Sequence, residues 1–495
     1  MVAFICMLWY NIDMKPLHRK KAIALYETRM RVGYVVKTVV CYVFAAIIWY
    51  MLAVVLPYTV TLNVSPADNA RLTRAAFSAT QQEISRDDAD KERALLLPTS
   101  EQSFYRRLRL VEDAKESIDY MVYDTYEQEW SYYYYTALVR AADRGVKVRI
   151  VLDGKMGRLS GSLKTIGNIV SNHKNIELYY FNPINLLDPA GLMVLMHDKV
   201  TVVDGQILIV GGVNMGTGAY LANFDMEVMI TNSGAEGAAG QAKRYFEKMI
   251  ANDLCERIVS KKVDYRAKAE YERKYIEFYE NSEFATAEVD YSKLGVAIDK
   301  ATFVSNKISA EKKPPMILQA VYNMMESSQK TVVVTPYTLL ENDKKAKLRS
   351  LAAKNDEFKL ITNSLYNTRN VGYADYYHTR ESYIDKNITL LEYQAKNQLH
   401  AKMFTFDGRY SIIGSFNLDE RSAHIDTESV VVIDSPTLTA QLDSYIDETF
   451  VANSLQVGSN NEYLPSDTVK SHSVPTKKRF IYGIYSALGI IRCLI

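Results

Sequence analysis

One pattern in this chain occurs twice in a single register, and it constrains the fold more than any other feature. The first copy reads His197-Asp-Lys199-Val-Thr-Val-Val-Asp204-Gly-Gln-Ile-Leu-Ile-Val-Gly211-Gly212-Val-Asn214. The second reads His400-Ala-Lys402-Met-Phe-Thr-Phe-Asp407-Gly-Arg-Tyr-Ser-Ile-Ile-Gly414-Ser415-Phe-Asn417, with every matched position 203 residues further along. A chain that keeps histidine, lysine, aspartate, glycine and asparagine at one offset folds as two equivalent halves.

The geometry of each copy follows from strand periodicity. Alternate residues of an extended chain share a face, so His197 projects with Lys199 and His400 with Lys402. The apolar runs behind them bury the strand, and Asp-Gly at 204–205 and 407–408 predicts a tight hairpin. The return strands then bring Gly212 with Asn214, and Ser415 with Asn417, back beside the starting histidine and lysine. Each half gathers an imidazole, an ammonium, an amide and backbone N–H groups.

That set of groups suits phosphate. Lysine and asparagine donate to non-bridging oxygens, small residues let backbone N–H groups approach, and an imidazole attacks phosphorus or carries a proton near neutral pH. Two copies face to face supply one nucleophile and one acid, which makes a phosphodiester site. The candidate catalytic residues are His197, Lys199, Asp204, His400, Lys402 and Asp407; the candidate substrate-binding residues are Gly212, Asn214, Ser415 and Asn417. For Asp204 and Asp407 a turn-forming role competes with a catalytic one, because each precedes glycine at the hairpin. A carboxylate follows each histidine by 28 residues, Asp225 in the first copy and Glu428 in the second. Their shared offset favours Asp225 over the neighbouring Glu227, and the role expected of both is to orient a histidine ring.

The sequence around the motifs alternates strand and helix signals. Segments 116–124, 146–154 and 175–183 read as strands and 131–145 as a helix; the rhythm resumes from 315, with strands at 331–337, 358–364 and 388–393. This predicts βαβ units and a mostly parallel sheet covered by helices. The expected division is a basic N-terminus (1–37), a transmembrane helix (38–60), a stalk (61–100), a first half (101–255), a connector (256–314), a second half (315–455) and a tail (456–495).

The uncharged stretch 38–60 matches the roughly 20 residues that cross a bilayer as a helix. Seven Lys and Arg precede it within 1–37, so the positive-inside bias predicts a single-pass protein with a cytoplasmic N-terminus and an outer body. The last residues form a basic cluster followed by an apolar run, which reads either as an interfacial segment or as a docked helix. A net charge of +1 provides no overall field for nucleic acid, so none is expected as a partner. The four cysteines build no disulfide framework, the histidines lack zinc spacing, and neither a metal nor a cofactor is expected. Both half-sites lie on one chain, so no oligomer is required.

The doubled HxKxxxxD followed by G-G/S-x-N resembles the phospholipase D superfamily over roughly residues 95–450, and the segments GSFNLDERS and DTE resemble its bacterial cardiolipin synthase branch. The resemblance implies an α/β protein with two phospholipase D-like αβα sandwich halves in a pseudo-twofold pair. It implies a bacterial cell-membrane phosphatidyltransferase that makes cardiolipin through a covalent phosphatidyl-histidine. His197 is the expected nucleophile and His400 the expected acid and base. Membrane phospholipids are the expected partners, phosphatidylglycerol first and phosphatidylethanolamine as an alternative donor. A phospholipase D that releases phosphatidic acid, and a nuclease of the same superfamily, are the competing activities. The sequence departs from the branch at Gly212, Val213 and Asp426, which puts the acceptor in doubt.

Overall fold

The computed structural model describes residues 16–216, 223–282, 288–369, 373–384 and 387–487. The chain divides after Leu56 into an N-terminal unit and a body. Among its described residues the N-terminal unit contains one helix, Pro16–Val55, and the candidate span Glu27–Tyr58 holds an 18-residue window with a mean hydropathy of 2.6, long and apolar enough to cross a membrane. The helix begins upstream of the uncharged stretch expected from residue 38 and contains most of it. Between Pro16 and Val55 only Gly33 opposes helix propagation, so the basic residues and the apolar run share one continuous helix.

The body holds two large sheets. The first is built from β1 (Arg93–Leu97), β2 (Ser117–Val122), β3 (Lys147–Asp153), β4 (Ile176–Phe181), β5 (Lys199–Val203), β6 (Ile207–Gly211), β8 (Glu227–Thr231), β9 (Cys255–Ile258) and β10 (Val296–Ala297); a short β7 (Asn223–Phe224) lies outside it. Its strand order is β10-β1-β8-β6-β5-β2-β3-β4-β9. The second contains β11 (Lys300–Ser305), β12 (Lys330–Val334), β14 (Glu357–Asn363), β15 (Ile388–Tyr393), β17 (Met403–Phe406), β18 (Tyr410–Gly414), β20 (Ser429–Asp434) and β21 (Ser454–Gln456), with β13 (Thr338–Leu339), β16 (Gln398–Leu399) and β19 (Leu418–Asp419) in two-stranded ladders. Its order, β11-β20-β18-β17-β12-β14-β15-β21, repeats the first sheet strand for strand from β1 to β9.

The sheets are mixed, which corrects the expectation of a mostly parallel arrangement. Within the described residues of the two large sheets, only β2-β3-β4 and β12-β14-β15, the strands joined through helices, run parallel. The motif strands are joined by three-residue connections and pair antiparallel, as tight hairpins must.

One apolar cluster joins the two halves: Val200, Val202, Val210, Val228 and Ile230 from the first sheet share it with Met403, Ile413, Val431 and Ile433 from the second. Helices Ala238–Ile250 and Pro436–Thr449 contribute to the same cluster, through Ala242, Phe246, Leu442 and Ile446. Separate clusters lie under the outer helices of each half. The tyrosine run belongs there, with Tyr134 and Tyr135 buried and Tyr133 stacked on Phe278 at 4.3 Å.

Two expected linkers are integral to the body. The 61–100 stretch is not a stalk: Leu72 and Phe77 are buried against the second half, and β1 pairs between β10 and β8. The 256–314 stretch is not a loose connector: it supplies β10 to one sheet and β11 to the other, and buries Tyr275 of helix Tyr265–Glu280. Short strands such as Lys-Ala-Thr-Phe-Val-Ser carry little periodic signal, and their pairing partners lie far away in sequence.

Arg107 is buried on the outer face of the first sheet and meets both carboxylate oxygens of Glu227 at 2.5 Å, with its Nε donating to Thr201 Oγ1 at 3.2 Å. Replacing Arg107 by Met alone leaves Glu227 buried without its cation and is expected to cost about 3–5 kcal/mol. Chemical denaturation checks this, and Arg107→Met combined with Glu227→Gln is expected to recover part of the loss.

Candidate active site

The hairpins place the motif ends. Asp204 and Gly205 have φ of 51° and 66°, Asp407 and Gly408 have 52° and 62°, and the turns close through Gln206 N–H to Val203 O and Arg409 N–H to Phe406 O, both at 3.0 Å. Two successive left-handed residues are the type I′ turn that suits a twisted hairpin. The aspartates lie at this turn, one strand length from the histidines. Asp204 accepts the backbone N–H groups of Lys115, Glu116 and Ser117 at 3.0, 2.8 and 2.9 Å. Asp407 accepts those of Gln329 and Lys330, both at 2.9 Å, and pairs with Arg74 at 2.6 Å. Their grouping with the catalytic residues is therefore corrected: both anchor the start of the neighbouring strand.

At the other end of the hairpins the two halves exchange backbone. Met196 bridges Thr427, and Leu399 pairs with Phe224, the same two motif positions with the halves interchanged. His197 N–H donates to Thr427 O at 3.0 Å and His400 N–H to Phe224 O at 2.7 Å. Each carboxylate is thereby carried to the histidine of the opposite half. His197 Nδ1 lies 2.9 Å from Glu428 Oε1, and His400 Nδ1 lies 2.6 Å from Asp225 Oδ2. Glu227, the rejected alternative, is held by Arg107. Nothing in a single copy of the motif signals this crossing, because it depends on how the halves pair.

The remaining motif residues surround the rings. Lys199 Nζ donates to His197 O at 2.7 Å, and Lys402 Nζ lies 3.0 Å from His400 Nδ1 and also bonds His400 O. Ser415 donates to Glu428, as does Ser422 at 2.7 Å. Gly212 stands at the equivalent of Ser415 because a Cβ there would meet Asp225 Oδ1 at 2.1 Å. The side-chain oxygens of Asn214 and Asn417 are buried and have no hydrogen-bond partner among the described residues. Both atoms are acceptors, so a ligand hydroxyl, not a phosphate oxygen, would complete their bonding.

Electrostatics divides the two pairs. Burial, Lys199 and Lys402 push His197 well below its ordinary 6.5, and burial pushes Glu428 up to about 8. Burial and then Lys402 also lower His400. Burial raises Asp225, yet Lys402 and His400 outweigh it and hold this carboxyl below its usual range. Burial brings Lys199 down to about 7. Burial is the largest cause of the imidazole shifts, and the cations at Lys199 and Lys402 add to it for both rings, a combination that a bound phosphate diester would offset.

Further residues support this arrangement. Asp198, pushed up to about 6 by burial, accepts from Thr427 at 2.5 Å and Tyr245 at 3.1 Å, tying the motif to helix Ala238–Ile250. Tyr123 packs edge-on to the His197 ring at 4.8 Å. Asp426, a departure from the branch pattern, accepts Leu195 N–H at 3.0 Å and pairs with Arg421 at 2.9 Å, so it braces the segment before His197. These residues have no counterpart 203 positions away, which is why the repeat did not reveal them. Val213 is buried in the apolar cluster under the outer helices of the first half. Four other histidines lie elsewhere: His173 meets Asp143, His378 lies edge-on to Tyr377, His424 bonds Lys313 O, and His472 stacks on Tyr366.

Known proteins match this chain along the same two halves. The model of the family described as cardiolipin synthase, PLD-like domain, matches residues 108–250 and 321–450. Cardiolipin synthase C of Escherichia coli (strain K12) is 28% identical over 395 residues, covering 70% of this chain and 82% of that protein. An uncharacterized protein of Helicobacter pylori is 25% identical over 431 residues, covering 78% of this chain and 85% of its own. Among solved structures, phosphatidylserine synthase of Haemophilus influenzae Rd KW20 superposes with a TM-score of 0.58 over 86% of this chain and 100% of that one, at 15% identity, a likeness of fold. The matched stretches take in more than half of the chain, and each carries one copy of the histidine–lysine motif. The chain belongs to the cardiolipin synthase family of phospholipase D-like domain proteins.

Proposed function

We propose that this chain is a phosphatidyltransferase that makes cardiolipin, with His197 as nucleophile and His400 as acid and base. The observation that carries the reading is the crossed pairing of Glu428 with His197 and Asp225 with His400. Each carboxylate takes up Nδ1 of its ring, and the Nε2 nitrogens, that of His400 lying 3.2 Å from Lys402 Nζ, are the ones assigned to phosphorus or to a departing alcohol.

In the first step His197 Nε2 attacks the phosphorus of a phospholipid while the bond to the headgroup oxygen breaks. His400 gives that oxygen its proton, and the phosphatidyl group remains on His197. In the second step His400 takes the proton of a phosphatidylglycerol hydroxyl, whose oxygen attacks the same phosphorus and releases His197. Lys199, Lys402 and the amide nitrogens of Asn214 and Asn417 are the donors to which this reading assigns the non-bridging oxygens. Similarity to a cardiolipin synthase over most of both chains supports a phospholipid on each side of the reaction.

The test uses purified chain in vesicles of phosphatidylglycerol, with lipids separated by thin-layer chromatography. Cardiolipin is expected from the native chain and not from His197→Ala. Phosphatidic acid without cardiolipin assigns water as the acceptor and overturns the transferase reading.

The pH dependence follows from the Glu428–His197 pair. Below about 8 this pair holds the extra proton, and above it Glu428 is ionised, Nδ1 donates to it and Nε2 is free to attack. The rate of the covalent step in the free protein is therefore expected to rise with pH toward about 8. Single-turnover rates across this range check it, and Glu428→Gln is expected to lose the rise.

A further inference from the structure

Exposed large apolar side chains are unevenly spread over the body. Leu187 is 94% exposed, Leu186 68% and Ile184 63%, all in the loop after β4. Met156 in the loop after β3 and Tyr126 in the loop after β2 are also exposed. These three loops leave the same edge of the first sheet. Strands β2, β3 and β4 run parallel, and Val122 at the end of β2 pairs with Lys199 at the start of β5. The loops therefore rise on the side where His197 lies, as the Tyr123 ring against His197 and the Asp153 carboxylate on Met196 N–H confirm.

The second half adds an apolar element at its matching edge. Helix Thr476–Ala487 is held by Lys478 Nζ, which donates to Tyr366 O at 3.0 Å and Thr368 O at 2.7 Å in the loop after β14. Asn363 at the end of β14 bonds Leu399 O, next to His400. Tyr482 faces inward and is buried, whereas Phe480, 69% exposed, and Ile484 point outward four residues apart.

We propose that this edge is a lipid-facing rim, in which Ile184, Leu186 and Leu187 enter the headgroup–acyl boundary of a phospholipid bilayer and Phe480 enters beside the other half-site. The proposal rests on the reading that the site takes a phospholipid, and it names the surface from which the site draws it. Two observations select a bilayer as the occupant. Tyr58, at the start of the body, donates its hydroxyl to Ala190 O at 2.6 Å and its carbonyl accepts Lys312 Nζ at 2.8 Å, so the point where the body begins, just after an apolar span, adjoins the loop that carries Leu187. Exposed cations lie beside two of the tips, Arg158 beside Met156 and Lys477 and Arg479 beside Phe480. Apolar tips rimmed by Lys and Arg match an anionic lipid interface. Seated in this way, the phosphate site receives a headgroup without the lipid leaving the membrane.

The full chain, with Cys6, Cys41, Cys255 and Cys493 replaced by alanine, is spin-labelled at Leu187→Cys in phosphatidylglycerol–phosphatidylethanolamine vesicles. Val259→Cys is the control, because Val259 is 66% exposed and follows the end of β9 that pairs with the start of β4 rather than its end. The label at 187 is expected to lose collisions with an aqueous nickel chelate and gain them with oxygen, while the label at 259 keeps the chelate collisions. Equal chelate access at both positions overturns the rim, and shielding of 187 from both colliders overturns it in favour of a protein contact. In a second arm, the double variant Leu186→Glu, Leu187→Glu is expected to lose roughly tenfold or more in turnover of vesicle lipid while cleaving a water-soluble short-chain phosphodiester as before. Undiminished turnover on vesicles contradicts the proposal. If the native chain cleaves neither substrate, the proposed reaction fails, and the collision data still decide the rim.

Discussion

Replacing His197 by alanine is expected to lower phosphatidyl transfer at least about 10⁴-fold, the scale seen when a nucleophile acting with its partners is removed. No other described side chain is positioned to substitute for it. His400 is bound to Asp225 and has its own proton to carry, and the two lysines are held by the carbonyls of their own histidines. The fold is expected to survive, because the backbone link through His197 N–H and Thr427 O does not need the ring. Transfer of labelled phosphatidylglycerol into cardiolipin measures the loss, and an unchanged thermal midpoint shows that it lies in the chemistry.

The second large effect separates the two half-sites. Asp225 lies in the first half but serves His400 of the second. Asparagine at this position keeps the size but cannot hold the imidazolium or enforce its tautomer, and a loss on the order of 10³–10⁴-fold is expected. The effect depends on the leaving group. With a p-nitrophenyl phosphatidyl diester the departing oxygen needs no proton, so the first step of Asp225→Asn is expected to recover most of its rate. Glu428→Gln, which disables the nucleophile's own partner, is expected to stay slow on the same substrate. Release of p-nitrophenolate in the first turnover checks both. Recovery in Glu428→Gln instead of Asp225→Asn would exchange the roles of the two histidines.

Much of the site was legible because a duplicated motif is a spatial statement. A fixed offset predicts two equal hairpins, and the hairpins predict which residues return beside each histidine and lysine. Asp225 and Glu428 could be found by the same offset, although their crossing could not. It arises from the pairing of Met196 with Thr427 and Leu399 with Phe224, contacts between segments more than 170 residues apart.

Asp204 and Asp407 show the opposite lesson. Their recurrence in the motif follows from the type I′ turn and the strand starts they hold, so repetition marked a structural need as clearly as a chemical one. Features outside the repeat were harder to read. Residues 61–100 look polar and loop-like, yet Leu72, Phe77 and β1 bind them into the body, because a few buried side chains suffice where the remaining surface is already built. Strands β10 and β11 were hidden for a related reason. Edge strands of two and six residues gain their order from long-range pairing rather than from local pattern.

The most direct test of one phosphorus shared by two halves is to stop the reaction on the nucleophile. His400→Ala removes the base needed for the second step, and a p-nitrophenyl phosphatidyl diester removes the need for an acid in the first. Mass spectrometry of peptides from this mixture, digested at neutral pH, is expected to show one phosphatidyl group per chain, attached to His197. Product formed by the native chain with no adduct on the variant, or an adduct on any residue other than His197, would contradict the account.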